Sequence, residues 1–132
     1  MERRSFILLT TATVITFYLP LTSCKKQSKL ENILADPYSL LLIMNSNSIN
    51  EIGMEYINQL PNEGEKEILV NFLLHNEIHN KESQSFSIIR IQNMLKLKIK
   101  NDYKNNSTIT LGGWVISKTE ARQCALSSII NS

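Results

Sequence analysis

Residues 48–61, with the sequence SINEIGMEYINQLP, carry the most regular helical pattern in the chain. Six positions recur at intervals of three and four and predict one continuous apolar helix face, namely Ile49, Ile52, Gly53, Tyr56, Ile57 and Leu60. Ser48 and Glu51 have the spacing of a capping box, and Pro61 marks the end of the helix. Gly53 lowers helix propensity by roughly 1 kcal/mol relative to alanine. Its place on the apolar face predicts the close approach of a neighbouring backbone.

Further helices are predicted on both sides of this one. On the N-terminal side, Asp36 is the expected N-cap and Pro37 the first position of a short helix over residues 38–44, which the polar residues 45–47 end. On the C-terminal side, Asn62 and Glu65 suggest the start of another helix, with Ile68, Leu69, Phe72 and Leu73 on its inner face. The sequence thus predicts at least three consecutive helices.

The segment after residue 85 fits two types of secondary structure. Apolar residues recur at near-helical intervals and favour a helix, at Ile88, Ile91, Leu95, Ile99 and Tyr103. Residues 95–100 (LKLKIK) alternate with period two, so a strand is the competing interpretation. The three lysines of this stretch are expected to be solvated.

The C-terminal third contains a hairpin pattern followed by a helix pattern. Residues 108–111 and 114–117 are β-prone, and Gly112-Gly113 between them is typical of a two-residue turn. Ser117 and Glu120 form a second capping-box pattern, which opens a last helix. A stripe of small residues follows, made of Ala121, Cys124, Ala125 and Ser128. The predicted fold class is mainly α, a small bundle of four to five short helices with one C-terminal β-hairpin.

The N-terminal 23 residues are predicted to be an export signal. Arg3 and Arg4 precede an uncharged run of 14 residues, 6–19, which is short of the roughly 20 that span a bilayer core. A positive start, a short apolar run and small residues at the exit are typical of a secretory signal. A transmembrane anchor is the alternative.

The exit of this segment, Leu21-Thr22-Ser23-Cys24, resembles the lipobox of bacterial prolipoproteins at all four positions. The resemblance implies cleavage before Cys24 and a diacylglycerol on its thiol, and the alternative is an ordinary buried cysteine. Two acyl chains give stable anchoring, because each buried methylene contributes about 0.8 kcal/mol. Residues 24–35 would then be a lipidated tether and residues 36–132 a single small helical domain. Lys25, rather than an acidic residue, favours the outer membrane by analogy with other lipoproteins.

Arg3-Arg4-Ser5-Phe6-Ile7 resembles the core of a twin-arginine signal. Glu2 before the pair and the lack of a following lysine depart from that pattern, so the general secretory route stays open. The leader as a whole is similar to those of the small third subunit of the bacterial gluconate 2-dehydrogenase family. That resemblance covers the first quarter of the chain, together with its size and helical character. It implies a small exported helical partner of a flavoprotein dehydrogenase, and it assigns no functional residue beyond the leader.

Composition and residue chemistry exclude several functions. Without the leader, 12 basic and 11 acidic residues remain. This near-neutral charge lacks the excess of basic residues that binds the phosphates of nucleic acid. With Cys24 lipidated, Cys124 would be the remaining cysteine, so no internal disulfide is expected. Cys124 is interpreted as a small buried hydrophobe rather than a reactive thiol. His75 and His79 are four residues apart, but no further ligands accompany them. No metal, cofactor or catalytic residue is predicted, and Ser117 has no assignable base.

Trp114 and Arg122 are the candidate docking residues, because tryptophan and arginine dominate interface hot spots. The alternative is that Trp114 packs the hairpin onto the core. The predicted function is an exported, lipid-anchored accessory protein that docks on or assists a larger periplasmic partner, with a redox enzyme as the class suggested by the resemblance. A stand-alone lipoprotein with a ligand pocket lined by Trp114 and the helices is the second hypothesis. A small hydrolase is the third.

Overall fold

The computed structural model describes residues 29–74 and 87–132 of the chain. In these ranges the elements follow in the order α1 (residues 29–34), α2 (Tyr38–Leu41), α3 (Ser46–Gln59), a 3-10 turn (Pro61–Glu63), α4 (Lys66–Leu74), α5 (Ile88–Lys104), β1 (Thr108–Leu111), β2 (Trp114–Ser117) and α6 (Lys118–Ile130). The mainly helical class with one C-terminal hairpin is therefore confirmed. Helices α3, α4 and α5 and the hairpin all contact α6.

Helix α6 is the centre of the fold because it is buried on nearly all of its faces. The small-residue stripe is part of this buried set, which comprises Thr119, Glu120, Ala121, Gln123, Cys124, Ala125, Leu126 and Ser128. A helix without an exposed polar face needs neighbours on every side. The other helices supply that cover.

The closest helix packing is between α3 and α6. A Cβ atom placed on Gly53 would lie 2.2 Å from the carbonyl oxygen of Cys124 and 2.9 Å from Oγ of Ser128. Only a glycine permits this approach of two helix backbones. The predicted apolar face of α3 is buried around it at Ile49, Ile52 and Tyr56. The close backbone approach expected at Gly53 is thus confirmed.

Several helix starts differ from the sequence-based prediction. Helix α3 begins at Ser46, and Asn45 is its N-cap, whose side chain accepts a hydrogen bond from the backbone N–H of Ser48 at 2.8 Å. The predicted capping box at Ser48 is therefore wrong, because Ser48 already lies in the first turn. At α2, Pro37 is the N-cap residue, without a side-chain cap, and the helix ends at Leu41. Asparagine and serine are comparably good caps, so the local sequence alone did not decide between them.

Residues 95–100 belong to the continuous helix α5, which excludes the strand interpretation. The expectation that its lysines are solvated is wrong for Lys98. Its ammonium group donates to the backbone carbonyls of Phe72 at 2.9 Å and Leu73 at 2.7 Å, in the last turn of α4. A lysine ammonium group is a suitable donor to backbone carbonyls in the last turn of a helix. This contact ties α4 to α5.

The folded part begins before the boundary predicted at Asp36. Residues 31–132 form one compact unit. Leu34 is completely buried and Ala35 is 7% exposed. Residues 31–35 are therefore part of the core rather than of a tether, while residues 1–28 lie outside the described ranges.

Candidate functional site

The hairpin that carries Trp114 is a tight two-residue turn. Its strands are antiparallel, with Leu111 opposite Trp114 and Thr110 opposite Val115. Gly112 and Gly113 have φ values of 56° and 83°. A turn with two left-handed residues matches the twist of the strands, and glycine adopts it without steric cost.

Leu111 and Ile116 are the fully buried anchors of the hairpin, since they are 0% and 3% exposed. Trp114 lies opposite Leu111 and shares its face of the hairpin, whereas Val115 points to the other face. Trp114 and Val115 remain 42% and 62% exposed. Trp114 is therefore partly covered on the packed face, and a substantial part of its side chain stays accessible.

The base of the hairpin is held by a hydrogen-bond cluster at the start of α6. Ser117 and Glu120 form the predicted capping box, in which the Ser117 side chain accepts from the Glu120 backbone and the Glu120 carboxylate accepts from the Ser117 backbone. The Tyr103 hydroxyl donates to the same carboxylate at 2.6 Å. Asp102 accepts from the backbone N–H of Thr119 at 2.8 Å. The last turn of α5 thus fixes the point at which the hairpin joins α6.

Arg122 lies in a second cluster, which joins three helices. Its Nε donates to the Tyr56 hydroxyl at 3.2 Å, and its terminal nitrogen is 3.7 Å from the Glu63 carboxylate. The Tyr56 hydroxyl itself donates to Glu63. The guanidinium group stands 4.1 Å from the ring centre of Phe72, a cation–π contact. Arg122 is thus engaged across α3 and α4, and the structure does not bring it together with Trp114.

Both tyrosine clusters raise a phenol pKa. Burial, and then the hydrogen bond to Glu63, raise the pKa of Tyr56 to about 12, against the lowering effect of Arg122. Burial, and then the hydrogen bond to Glu120, raise the pKa of Tyr103 to about 12. In each case the neutral phenol is favoured, because it can donate to a carboxylate. Tyr56 is 1% exposed, whereas Tyr103 is 46% exposed, so solvent screening makes the effect smaller at Tyr103.

These pKa values predict a loss of stability at alkaline pH. A folded-state pKa above the ordinary value of about 10 stabilises the protein fully below pH 10, and this contribution is lost as the pH rises through 12. We expect the free energy of unfolding in urea to fall over this range, and to fall less steeply in Tyr56→Phe and Tyr103→Phe. Tyr38→Phe, at a 62% exposed position, is the control. Equal pH slopes in the wild type and the double variant Tyr56→Phe/Tyr103→Phe would contradict the raised values.

The nucleophile candidates have structural roles. Burial, followed by the charge of Glu120, raises the pKa of the Cys124 thiol to about 12, which agrees with a buried hydrophobe and opposes thiolate chemistry. Ser117 is used as a helix cap. Within residues 29–74 and 87–132, no cluster of three or more metal-binding side chains occurs. Over the same ranges, no helix combines the length and the apolar character needed to cross a bilayer.

Two cavities lie on the helical part. An open groove of about 750 Å³ runs beside α3 and the C-terminus, with Leu41, Met54, Ile57, Ile129 and Ile130 among its lining residues. A smaller cavity of about 210 Å³ lies beside α5, with Gln123 in its wall. Trp114 lines neither of these two cavities. Gln123 carried no signal in the sequence beyond its position in a helical pattern.

The export and lipidation residues Arg3, Arg4, Phe6 and Cys24 lie outside the described residues, as do His75 and His79. Their predicted roles stay predictions. No protein-family model, no curated protein and no solved structure matches this chain.

Proposed function

We propose that this protein is an exported lipoprotein, anchored through Cys24 at the periplasmic face of a membrane, that docks on or assists a larger periplasmic protein. The outer membrane is the favoured location, and a redox enzyme such as a dehydrogenase is the partner class that the leader suggests. One observation of the folded part supports docking above the other functions: Trp114 is 42% exposed on a hairpin that is fixed at its base.

The energetic argument starts from the cost of exposed apolar surface. Covering apolar area contributes about 25 cal/mol per Å², and an aromatic side chain offers 150–250 Å². Tryptophan is also the residue type most enriched among interface hot spots. Because 42% of Trp114 is exposed, a partner that covers it gains the corresponding part of this stabilisation.

The hairpin is also ordered before any partner binds. Leu111 and Ile116 anchor its strands, the backbone N–H of Lys118 donates to the Ser107 carbonyl at 3.1 Å, and the Glu120 cluster fixes its base. A surface that is already ordered avoids part of the entropy cost of association. This anchoring supports a binding role for Trp114.

The test is affinity purification of the full-length protein from detergent-solubilised membranes of its own cells. We expect a stoichiometric larger protein with the wild type, and about 30-fold weaker binding by Trp114→Ala, as for a hot spot of about 2 kcal/mol. Leu97→Ala removes a 60% exposed apolar side chain elsewhere and is the control. Partner recovery that is equal for wild type and Trp114→Ala would reject docking through the hairpin.

Anchoring is tested separately. Mass spectrometry of the mature protein is expected to find an N-terminus at Cys24 that carries fatty acids, and Cys24→Ser is expected to leave the protein unlipidated. A mature N-terminus at another residue would refute the anchor. Replacement of Arg3 and Arg4 by lysine distinguishes the routes, because unchanged export would argue against twin-arginine transport.

The alternative of a ligand-binding lipoprotein has one supporting observation, which is the smaller cavity at Gln123. Its argument does not involve Trp114 and is given next.

A further inference from the structure

The smaller cavity lies between α5 and the segment that joins α1 to α2. Its volume of about 210 Å³ corresponds to about seven water molecules. Its wall includes two amide residues, Gln123 and Gln92, two hydroxyl residues, Tyr38 and Ser39, and two charged residues, Asp36 and Lys96, beside an apolar side.

Gln123 has an acceptor that nothing in the described part of the chain satisfies. The side chain is 2% exposed, and its Nε2 donates to the backbone carbonyls of Leu34 at 3.0 Å and Asp36 at 3.1 Å. These two bonds fix which end of the amide is the oxygen. That oxygen, Oε1, is buried and has no hydrogen-bond partner among the described residues. An unsatisfied buried acceptor costs about 1–3 kcal/mol, so a donor beyond the described residues is expected at this site, and a water molecule or a ligand can supply it.

The two charged groups of the wall are also uncommitted. Within residues 29–74 and 87–132, the Asp36 carboxylate and the Lys96 ammonium form no ion pair or side-chain hydrogen bond, and both residues are exposed. They offer a negative and a positive group at one cavity. Ile33, Leu95 and Ile99 offer an apolar surface beside them.

We propose that this cavity binds a free aliphatic amino acid. The ligand's ammonium group pairs with Asp36 and supplies the donor for Gln123 Oε1, and its carboxylate pairs with Lys96. Its side chain packs against the apolar residues of the wall. A zwitterion complements both charges and also carries a donor for the orphan acceptor. This site is independent of the docking hairpin, and either assignment stands if the other fails.

The test is isothermal titration of the full-length, detergent-solubilised protein with L-leucine. The matched probes are 4-methylpentanoate, which lacks the ammonium group, and 3-methylbutylamine, which lacks the carboxylate. We expect leucine to bind and each analogue to bind at least about tenfold more weakly, the ratio that corresponds to about 1.4 kcal/mol. Thermal unfolding with the same compounds provides a second readout, because a ligand of the native state raises Tm.

Variants at the rim separate binding from folding. Asp36→Asn and Lys96→Gln alter exposed side chains, so both are expected to keep the wild-type circular dichroism and to lose about tenfold in leucine affinity. Lys100→Gln, one turn further along α5 and outside the wall, is expected to leave the affinity unchanged. Absence of any leucine binding, equal binding of the three compounds, or unaltered affinity in both rim variants would overturn the proposal.

Discussion

Replacing Leu34 with alanine is expected to destabilise the protein by about 2–5 kcal/mol. The side chain is completely buried, so its removal loses the transfer free energy of the missing methyl groups and leaves a cavity. This is a large fraction of the roughly 5–15 kcal/mol that stabilise a domain. Urea unfolding monitored by far-UV circular dichroism measures the difference.

The same substitution at an exposed leucine is the control. Leu42 is 71% exposed, and Leu42→Ala is expected to change stability by no more than about 0.5 kcal/mol. A solvated tether over residues 24–35 predicts no cost for Leu34→Ala either. Equal stability of the two variants would therefore indicate that residue 34 belongs to a solvated tether, and it would contradict the burial of Leu34 in the core.

Replacing Gly53 with alanine is expected to destabilise the protein by about 2 kcal/mol. The added Cβ would lie 2.2 Å from the Cys124 carbonyl oxygen, so α3 and α6 have to move apart. Overpacking of this kind costs about 1–3 kcal/mol, and the backbone atoms in contact cannot rotate away as a side chain would. The gain of about 1 kcal/mol in helix propensity offsets part of this cost. A decrease in Tm of about 10 °C is the expected readout.

Two further variants test this explanation. Glu51→Ala, at an exposed position of the same helix, is expected to stay within about 0.5 kcal/mol of the wild type. Gly53→Ala combined with Ser128→Ala is expected to remain destabilised, since removing the Ser128 hydroxyl leaves the carbonyl contact in place. Wild-type stability in Gly53→Ala would show that the two helices are not in backbone contact.

Patterns contained within a few residues were predictable. The apolar face of α3 follows from its three- and four-residue spacing, and the hairpin follows from Gly112-Gly113 between two β-prone runs. The capping box at Ser117 and Glu120 is likewise complete within four residues. Where two local signals competed, the outcome was less certain, and Asn45 caps α3 in preference to Ser48.

The candidate site was predictable only in part. A lone tryptophan beside two glycines marks an unusual position, but its 42% exposure depends on Leu111 and Ile116, which take the buried places of the hairpin. The Arg122 side chain instead contacts Tyr56 on α3 and Phe72 on α4. Gln123 could not be singled out, because its orphan oxygen results from two carbonyls almost 90 positions earlier in the chain.

The sequence by itself determined helix α3, the hairpin and the capped start of α6, because backbone propensity, capping and turn chemistry act between residues at most a few positions apart. Only the tertiary structure decided that residues 29–34 form a helix, that α6 is the central helix, that the core begins at residues 31–35, and that Lys98 binds two carbonyls of α4. The physical reason is that burial and hydrogen-bond satisfaction depend on which distant segments cover a residue. An apolar stripe indicates that a helix face will be buried, but it does not specify the neighbours that bury it.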